Sequence, residues 1–490
     1  MRIGELLVAA RLVTEAQIAE AVARQRDAGG RLGQNLVAIG AISDADLDSF
    51  ISSIPADPLS LADTGIDEKT LLDLLLKIIF IGPAESIAEL SHIMRLAPSM
   101  VAQLAEGAVR GQLLIALGAT MGGATGMRYQ LTDAGRRRAS EANARSGYIG
   151  AAPVSLESYT KWLGRQRVTN ERIDWPGIRE AFSDLEVSDA FVDQIGPAVS
   201  SGRALLMYGP PGNGKTSVAQ RLERVFRNII YIPFAVSIEG QIMLVFDPDV
   251  HRPVNPRAVA EFGQSLSLLR DNADPRWVAC WRPFIVTGGE LTLEMLDLQH
   301  EATANFYVAP LHVKAAGGCL LIDDFGRQRV SPTALLNRWI VPLESRVDYM
   351  KLATGKSFRL PFEAIVIFST NLEPADLMDP AFLRRIPYKL EVRAPAQDGY
   401  RRIFEKVCAM RGMGEMVTDR VFDHVINRLT VVHGLELAAF QPRFLIDQVE
   451  AACKFRGVPP SLDLDLLDYA VGNLVVGRNA GATPTLAKAA

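Results

Sequence analysis

The stretch Leu205-Leu-Met-Tyr-Gly209-Pro210-Pro211-Gly212-Asn213-Gly214-Lys215-Thr216-Ser217 decides the reading of this 490-residue chain. Its first four apolar residues predict a strand, the glycines and prolines break it, and Ser217 to Arg227 reads as a helix. Gly209, Gly212 and Gly214 let the backbone turn tightly and aim its amides at an anion held at the N-terminus of that helix. Lys215 is then placed to reach β- and γ-phosphates, and the Thr216 hydroxyl suits magnesium. Pro210, Pro211, Asn213 and Ser217 complete the loop, and ATP with Mg2+ is the expected cargo.

A phosphate loop of this kind needs a carboxylate at the end of a second apolar strand, and Cys319-Leu-Leu-Ile-Asp323-Asp324 supplies two. Asp323 is expected to hold the metal through water, while Asp324 orients and polarises an attacking water. From Leu205 onward, helices alternate with short β-rich runs, which predicts an α/β core with a parallel sheet covered on both faces.

Together with three later motifs, these two resemble the AAA+ ATPases over roughly residues 160 to 475. The resemblance implies a P-loop AAA+ core at 160–395 carrying an insertion, and a C-terminal helical lid at 396–475. It implies a first sensor at Asn371, closing Ala364-Ile-Val-Ile-Phe-Ser-Thr-Asn371, that positions water near the γ-phosphate. In Asp379-Pro-Ala-Phe-Leu-Arg384-Arg385, Arg384 and Arg385 together stand for a finger supplied to a neighbouring subunit. Arg443, in Gln441-Pro-Arg-Phe-Leu445, stands for a second sensor coupling the lid to nucleotide state. The family commonly has glutamate where this chain has Asp324, which implies slower hydrolysis. The implied activity is ATP hydrolysis to ADP and phosphate by a homo-oligomer, a hexameric ring, that remodels or regulates a bacterial protein complex.

Two features resemble particular branches of that family. Arg346 to Pro361 reads as two extended arms around Thr354-Gly-Lys356, like the hairpin before the first sensor in MoxR-like and enhancer-binding proteins, where it can face the ring pore. The long stretch from Lys215 to Asp323 holds QIMLVFDPDVH and PRWVACWRPFIVTGGELTLEML, read as an insertion with Trp277, Trp281 and Phe306 as candidate contacts or core residues.

The first third is organised differently. Residues 1–56 contain an internal repeat, Arg2-Ile-Gly-x-x-Leu7 and Arg31-Leu-Gly-x-x-Leu36, each unit predicting two short helices with Gly4 or Gly33 at a close approach and Thr14 or Ser43 as a cap. This pattern resembles the N-terminal domain of type II secretion and type IV pilus ATPases, some of which bind cyclic di-GMP. Carried over, the possible contacts are Arg2, Leu7, Arg11, Ile18 and Gln25, then Arg31, Leu36, Gly40, Leu47 and Ile54. Arg11 and Ile54 depart from the glycine and glutamine of that motif. Residues 55–66 read as a linker. In 67–145, helices at 68–80, 85–95 and 98–112, the extended run Arg128 to Thr132 and a helix carrying Arg136, Arg137 and Arg138 resemble a winged-helix domain. Its candidate base-reading segment, SMVAQLAEGAVRGQLL at 99–114, offers Gln103, Arg110 and Gln112 beside Glu106, leaving DNA and protein partners both open.

Composition narrows the remainder. With 48% hydrophobic and 22% charged residues and a net charge of -4, the sequence describes a globular protein without an overall basic surface. Cys280, Cys319, Cys408 and Cys453 are too scattered for a metal site. No signal-type start is present, and Leu71 to Gly82 is too short and too charged to span a bilayer, so no membrane insertion and a cytoplasmic location are expected. Residues 476–490 read as a disordered tail. The competing readings are a DNA-associated transcriptional regulator ATPase and a nucleotide-switched scaffold with little turnover; the GAFTGA loop of enhancer activators is absent.

Overall fold

The computed structural model describes residues 3–10, 12–82, 84–119, 127–254, 273–377 and 379–475. Arg2, Arg11 and the tail at 476–490 lie outside the described residues.

Five strands form a parallel sheet in the order Tyr388–Glu391, Leu205–Tyr208, Ile365–Thr370, Cys319–Ile322, Phe284–Thr287. Because strand side chains alternate, the three central strands divide their apolar residues between two cores. Leu205, Met207, Cys319, Leu321, Ile365 and Ile367 face one core, closed by helices Trp175–Ala181, Asp189–Ser200 and Lys215–Arg221. Leu206, Leu320, Ile322, Val366 and Phe368 face the other, where helix Pro332–Ser345 lays Trp339 against Phe368. The chain therefore has an open α/β core, followed among the described residues by four C-terminal α-helices packed around Tyr400, Phe404, Phe422 and Leu445.

Phe284–Thr287 corrects the reading of the insertion. This run is the edge strand of the central sheet, with Phe284 paired to Cys319 and Thr287 to Ile322. The true surplus forms a second sheet, ordered Gln299–Glu301, Phe306–Val308, Gln241–Leu244, Ala235–Ile238, Val154–Ser155, plus the antiparallel pair Ile229–Pro233 and Trp277–Trp281. Trp277 is buried there against Trp162 at 6.1 Å between ring centroids, and Phe306 packs against a core, so both serve packing. Trp281 is half-buried.

The arms Val347–Lys351 and Ser357–Pro361 pair antiparallel. Met350, Leu352 and Leu360 bury one side of this hairpin against the second sheet. Its tip is tied down as well: Lys356 pairs with Glu239 at 2.9 Å, and the Tyr307 hydroxyl accepts from the Ala353 amide.

The described residues up to 52 form helices Ile3–Ala9, Glu15–Ala28, Leu32–Ala38 and Asp44–Ser52. Thr14 and Gln17 make a reciprocal capping box, and Ser43 accepts from the Asp46 amide. A Cβ on Gly4 would sit 3.2 Å from Leu32, and one on Gly33 only 2.9 Å from Leu47, so both repeats use glycine where a neighbouring leucine presses on the helix. Next come helices Glu68–Ile81, Ile87–Met94 and Pro98–Arg110, an antiparallel hairpin of Leu114–Ala119 with Met127–Leu131, and helix Asp133–Arg145. The first hairpin strand was not anticipated; Ile115 and Leu117 stay exposed, so it lacks the buried apolar alternation that marks a strand.

Candidate nucleotide site

The loop after Leu205–Tyr208 leaves the C-terminal edge of the sheet, where parallel α/β sheets place their ligand crevices. Gly209, Gly212 and Gly214 all adopt positive φ, at 137°, 79° and 84°. Two are also sterically required: a Cβ on Gly209 would lie 2.5 Å from the Val392 carbonyl oxygen, and one on Gly212 2.4 Å from the Phe440 ring. Gly214 caps helix Lys215–Arg221. Lys215 is buried, and its Nζ donates to the carbonyls of Gly209 and Pro210 at 2.9 Å each. Burial lowers its pKa, opposed by the negative charges of Asp323 and Asp324. Pro210 and Pro211 are exposed, Ser217 half-buried, and Asn213 buried with its Nδ2 unpaired.

Asp323 and Asp324 follow strand Cys319–Ile322, separated from the loop strand by Ile365–Thr370 alone. That spacing lets Thr216 Oγ1 donate to Asp323 Oδ2 at 2.7 Å across 107 positions of sequence. Asn371, just beyond the intervening strand, donates from Nδ2 to Asp324 Oδ1 at 3.3 Å. Lys215, Thr216, Asp323, Asp324 and Asn371 thus converge at one sheet edge.

Three elements of this site gave no sequence signal. Gln328 bonds the backbone of the turn at 323–326. Thr287 ends the edge strand, its carbonyl accepting from the Asp323 amide while its hydroxyl donates to Glu290. Phe440 lies against Gly212, its amide donates to the Gly212 carbonyl at 3.0 Å, and the Ala439 amide donates to Asn213 Oδ1 at 3.2 Å. The C-terminal helices therefore rest directly on the loop.

Arg443 lies in the first turn of helix Gln441–Arg456, which begins beside that contact; it is exposed, and only a loose 3.8 Å approach links it to Asp447. Arg384 and Arg385 follow the short helix Pro380–Leu383. Arg385 pairs with Glu344 at 3.0 Å, whereas the exposed Arg384 side chain has no partner among the described residues.

The described residues carried over for a dinucleotide differ in their surroundings. Leu7, Leu36 and Leu47 are core residues of the N-terminal helices, and Ile18 packs beside them. Gln25 donates to the Gly30 carbonyl at 2.8 Å, while Arg31 and Gly40 are exposed. Ile54 packs instead against the second-sheet core. Among the described residues no helix is long and apolar enough to cross a membrane, and no cluster of three or more His, Cys, Asp or Glu is placed to hold a metal.

One family model matches, over residues 396–473 in the C-terminal helices, and is described as a domain of unknown function, DUF8689. No curated protein matches. Among solved structures, NtrX from Brucella abortus is similar at 12% identity and a TM-score of 0.35, over 70% of this chain and 62% of that one. The chain thus spans less than two thirds of NtrX. Two point mutants of Thermotoga maritima RuvB match at 12% and 13% identity, each with a TM-score of 0.31 over 62% of this chain, covering 72% and 71% of theirs.

Proposed function

We propose that this chain is a magnesium-dependent AAA+ ATPase acting on a larger protein or protein–DNA assembly. One observation carries the reading: the Thr216–Asp323 contact brings a glycine-rich phosphate loop and a paired carboxylate to the same crevice, with Asn371 against Asp324 beside them. The hydroxyl and carboxylate are hard oxygen donors, which fit magnesium; its other ligands would be water and phosphate oxygens, as this ion prefers. When bound, the ion would neutralise charge on the transferred phosphoryl group.

The chain's own groups supply the rest. Loop amides and Lys215 take the phosphates, the ammonium exchanging its two carbonyl partners for phosphate oxygens. Asp324 accepts a proton from the attacking water, and Asn371 donates to its Oδ1 at 3.3 Å. Arg384, exposed and unpaired among the described residues, is the side chain suited to reach a neighbouring copy, which makes an oligomeric ring the working state. Phe440 and Arg443 would pass loop movements to the C-terminal lid.

Two clients remain in competition, and particular residues bear on each. A DNA-associated regulator is favoured by exposed Gln103 and Arg110 on helix Pro98–Arg110 and Gln112 just after it. A protein complex is favoured by the stretch Leu114 to Met127, where a DNA-binding wing would carry basic residues and this chain has no charge at all. Cyclic di-GMP control of the N-terminal module would rest on Arg31 and on Arg2 and Arg11 beyond the described residues. The test is binding of a fluorescent ATP analogue with and without magnesium. Wild-type binding that weakens on chelation and in Asp323→Asn is expected; equal affinity in all cases removes the magnesium role.

A further inference from the structure

The turn that presents Asp324 is unusual in its backbone. Asp324 adopts φ 48°, a left-handed conformation that disfavours most side chains and tolerates Asp and Asn best, and Gly326 follows at φ 102°. Such a turn needs its polar backbone groups held, and most are. Phe325 donates its amide to the Ser369 carbonyl at 2.7 Å and accepts at its own carbonyl from Thr370 Oγ1 at 2.8 Å, anchoring one side to the sensor strand. The buried Phe325 ring packs on Phe368.

On the other side the Arg327 amide donates to the Asp324 carbonyl and the Asp324 amide to Asp323 Oδ1, each at 3.0 Å, and one further side chain ties the turn across. Gln328 Nε2 donates to the carbonyls of Asp323 at 2.9 Å and Asp324 at 3.1 Å, while its Oε1 accepts from the Gly326 amide at 2.8 Å. One amide thus spans the backbone on both sides of the left-handed residue. Among the described residues the Asp324 carboxylate has a single side-chain partner, Asn371 at 3.3 Å, so its direction depends mainly on how the backbone beneath it is held.

We propose that Gln328 is a positioning residue for Asp324: it locks the left-handed turn so that a carboxylate one methylene shorter than glutamate points at the phosphate crevice. This rests on the ATPase reading above, and extends it to a residue outside the motifs. Gln328 touches neither the loop nor Asn371 among its hydrogen bonds, so its effect should fall on turnover and spare nucleotide binding.

The experiment measures kcat, KM and ATP-analogue affinity for the full chain, Gln328→Ala, Gln328→Met and Gln328→Glu. Methionine keeps the bulk and loses every hydrogen bond; glutamate keeps the acceptor for Gly326 and loses both donors, which protects folding if alanine does not. Because small displacements of a catalytic group are costly, kcat should fall on the order of 10- to 100-fold with analogue affinity held within about twofold. A purely structural role would lower melting temperature and leave kcat of the folded fraction intact. In an Asp324→Asn background, followed by single turnover, Gln328→Ala should cost little more, since the two act as a unit. A wild-type chain without turnover removes the ATPase reading and this inference together. An active chain whose Gln328 variants keep kcat, or lose it by the full factor even without the Asp324 carboxylate, removes this inference alone.

Discussion

Replacing Gly212 with alanine should damage nucleotide binding in two separable ways. The backbone there has φ 79°, and holding a residue with a Cβ in that region costs about 1–2 kcal/mol. The new carbon would also land 2.4 Å from Phe440 Cδ1 and 2.9 Å from Cε1, an overpacking worth about 1–3 kcal/mol. Relief requires the loop to move away from the ring, which turns its amides from the phosphates. Summed at about 2–5 kcal/mol, the cost predicts affinity lower by about 30-fold or more. Phe440→Ala removes the obstacle and leaves the φ cost. The double variant should therefore bind at least about fivefold more tightly than Gly212→Ala, with Phe440→Ala alone changing affinity little. Fluorescence titration with an ATP analogue reads all four proteins. If the double variant binds no better than Gly212→Ala, the ring does not rest on the loop and the contact between C-terminal helices and nucleotide site is wrong.

Other perturbations follow from named contacts. Arg384→Ala should lower turnover on the order of 1000-fold with ATP affinity retained, whereas Arg385→Ala, whose partner is Glu344 in the same chain, should change it little; steady-state kinetics of both variants would expose the reverse assignment. Glu171→Gln should destabilise the core by about 3–5 kcal/mol, because Arg282 pairs with Glu171 at 2.6 Å with both side chains 3% exposed, and thermal unfolding would show it. Burial lowers the Lys77 pKa from 10.5 to about 8, while its Nζ donates to the Ser146 and Tyr148 carbonyls. Between those pH values the unfolded chain holds a proton the folded chain has released, so stability should rise from pH 8 towards 10.5, and Lys77→Met should lose that rise in pH-dependent melting.

The α/β core and the convergence of Lys215, Thr216, Asp323 and Asn371 were legible because each pattern is local. Apolar runs of four to six residues ending in Gly209, Asp323 or Asn371 are short-range patterns, and parallel strands place their ends together. Phe284–Thr287 was not separable from the insertion, since a four-residue apolar run looks the same at the edge of either sheet. Gln328 was invisible for another reason: its role exists only once Asp324 is left-handed, a property of the folded turn. The Ala439–Asn213 contact spans 226 positions, beyond any periodicity argument. Leu7, Leu36 and Leu47 show the converse, a motif match whose apolar members close a helical core.

Phosphate release by the purified chain with ATP and magnesium, measured against protein concentration beside Lys215→Ala, tests the central claim most directly. Turnover should rise as copies assemble and disappear in the variant. Turnover no greater than that of Lys215→Ala at every concentration would contradict it.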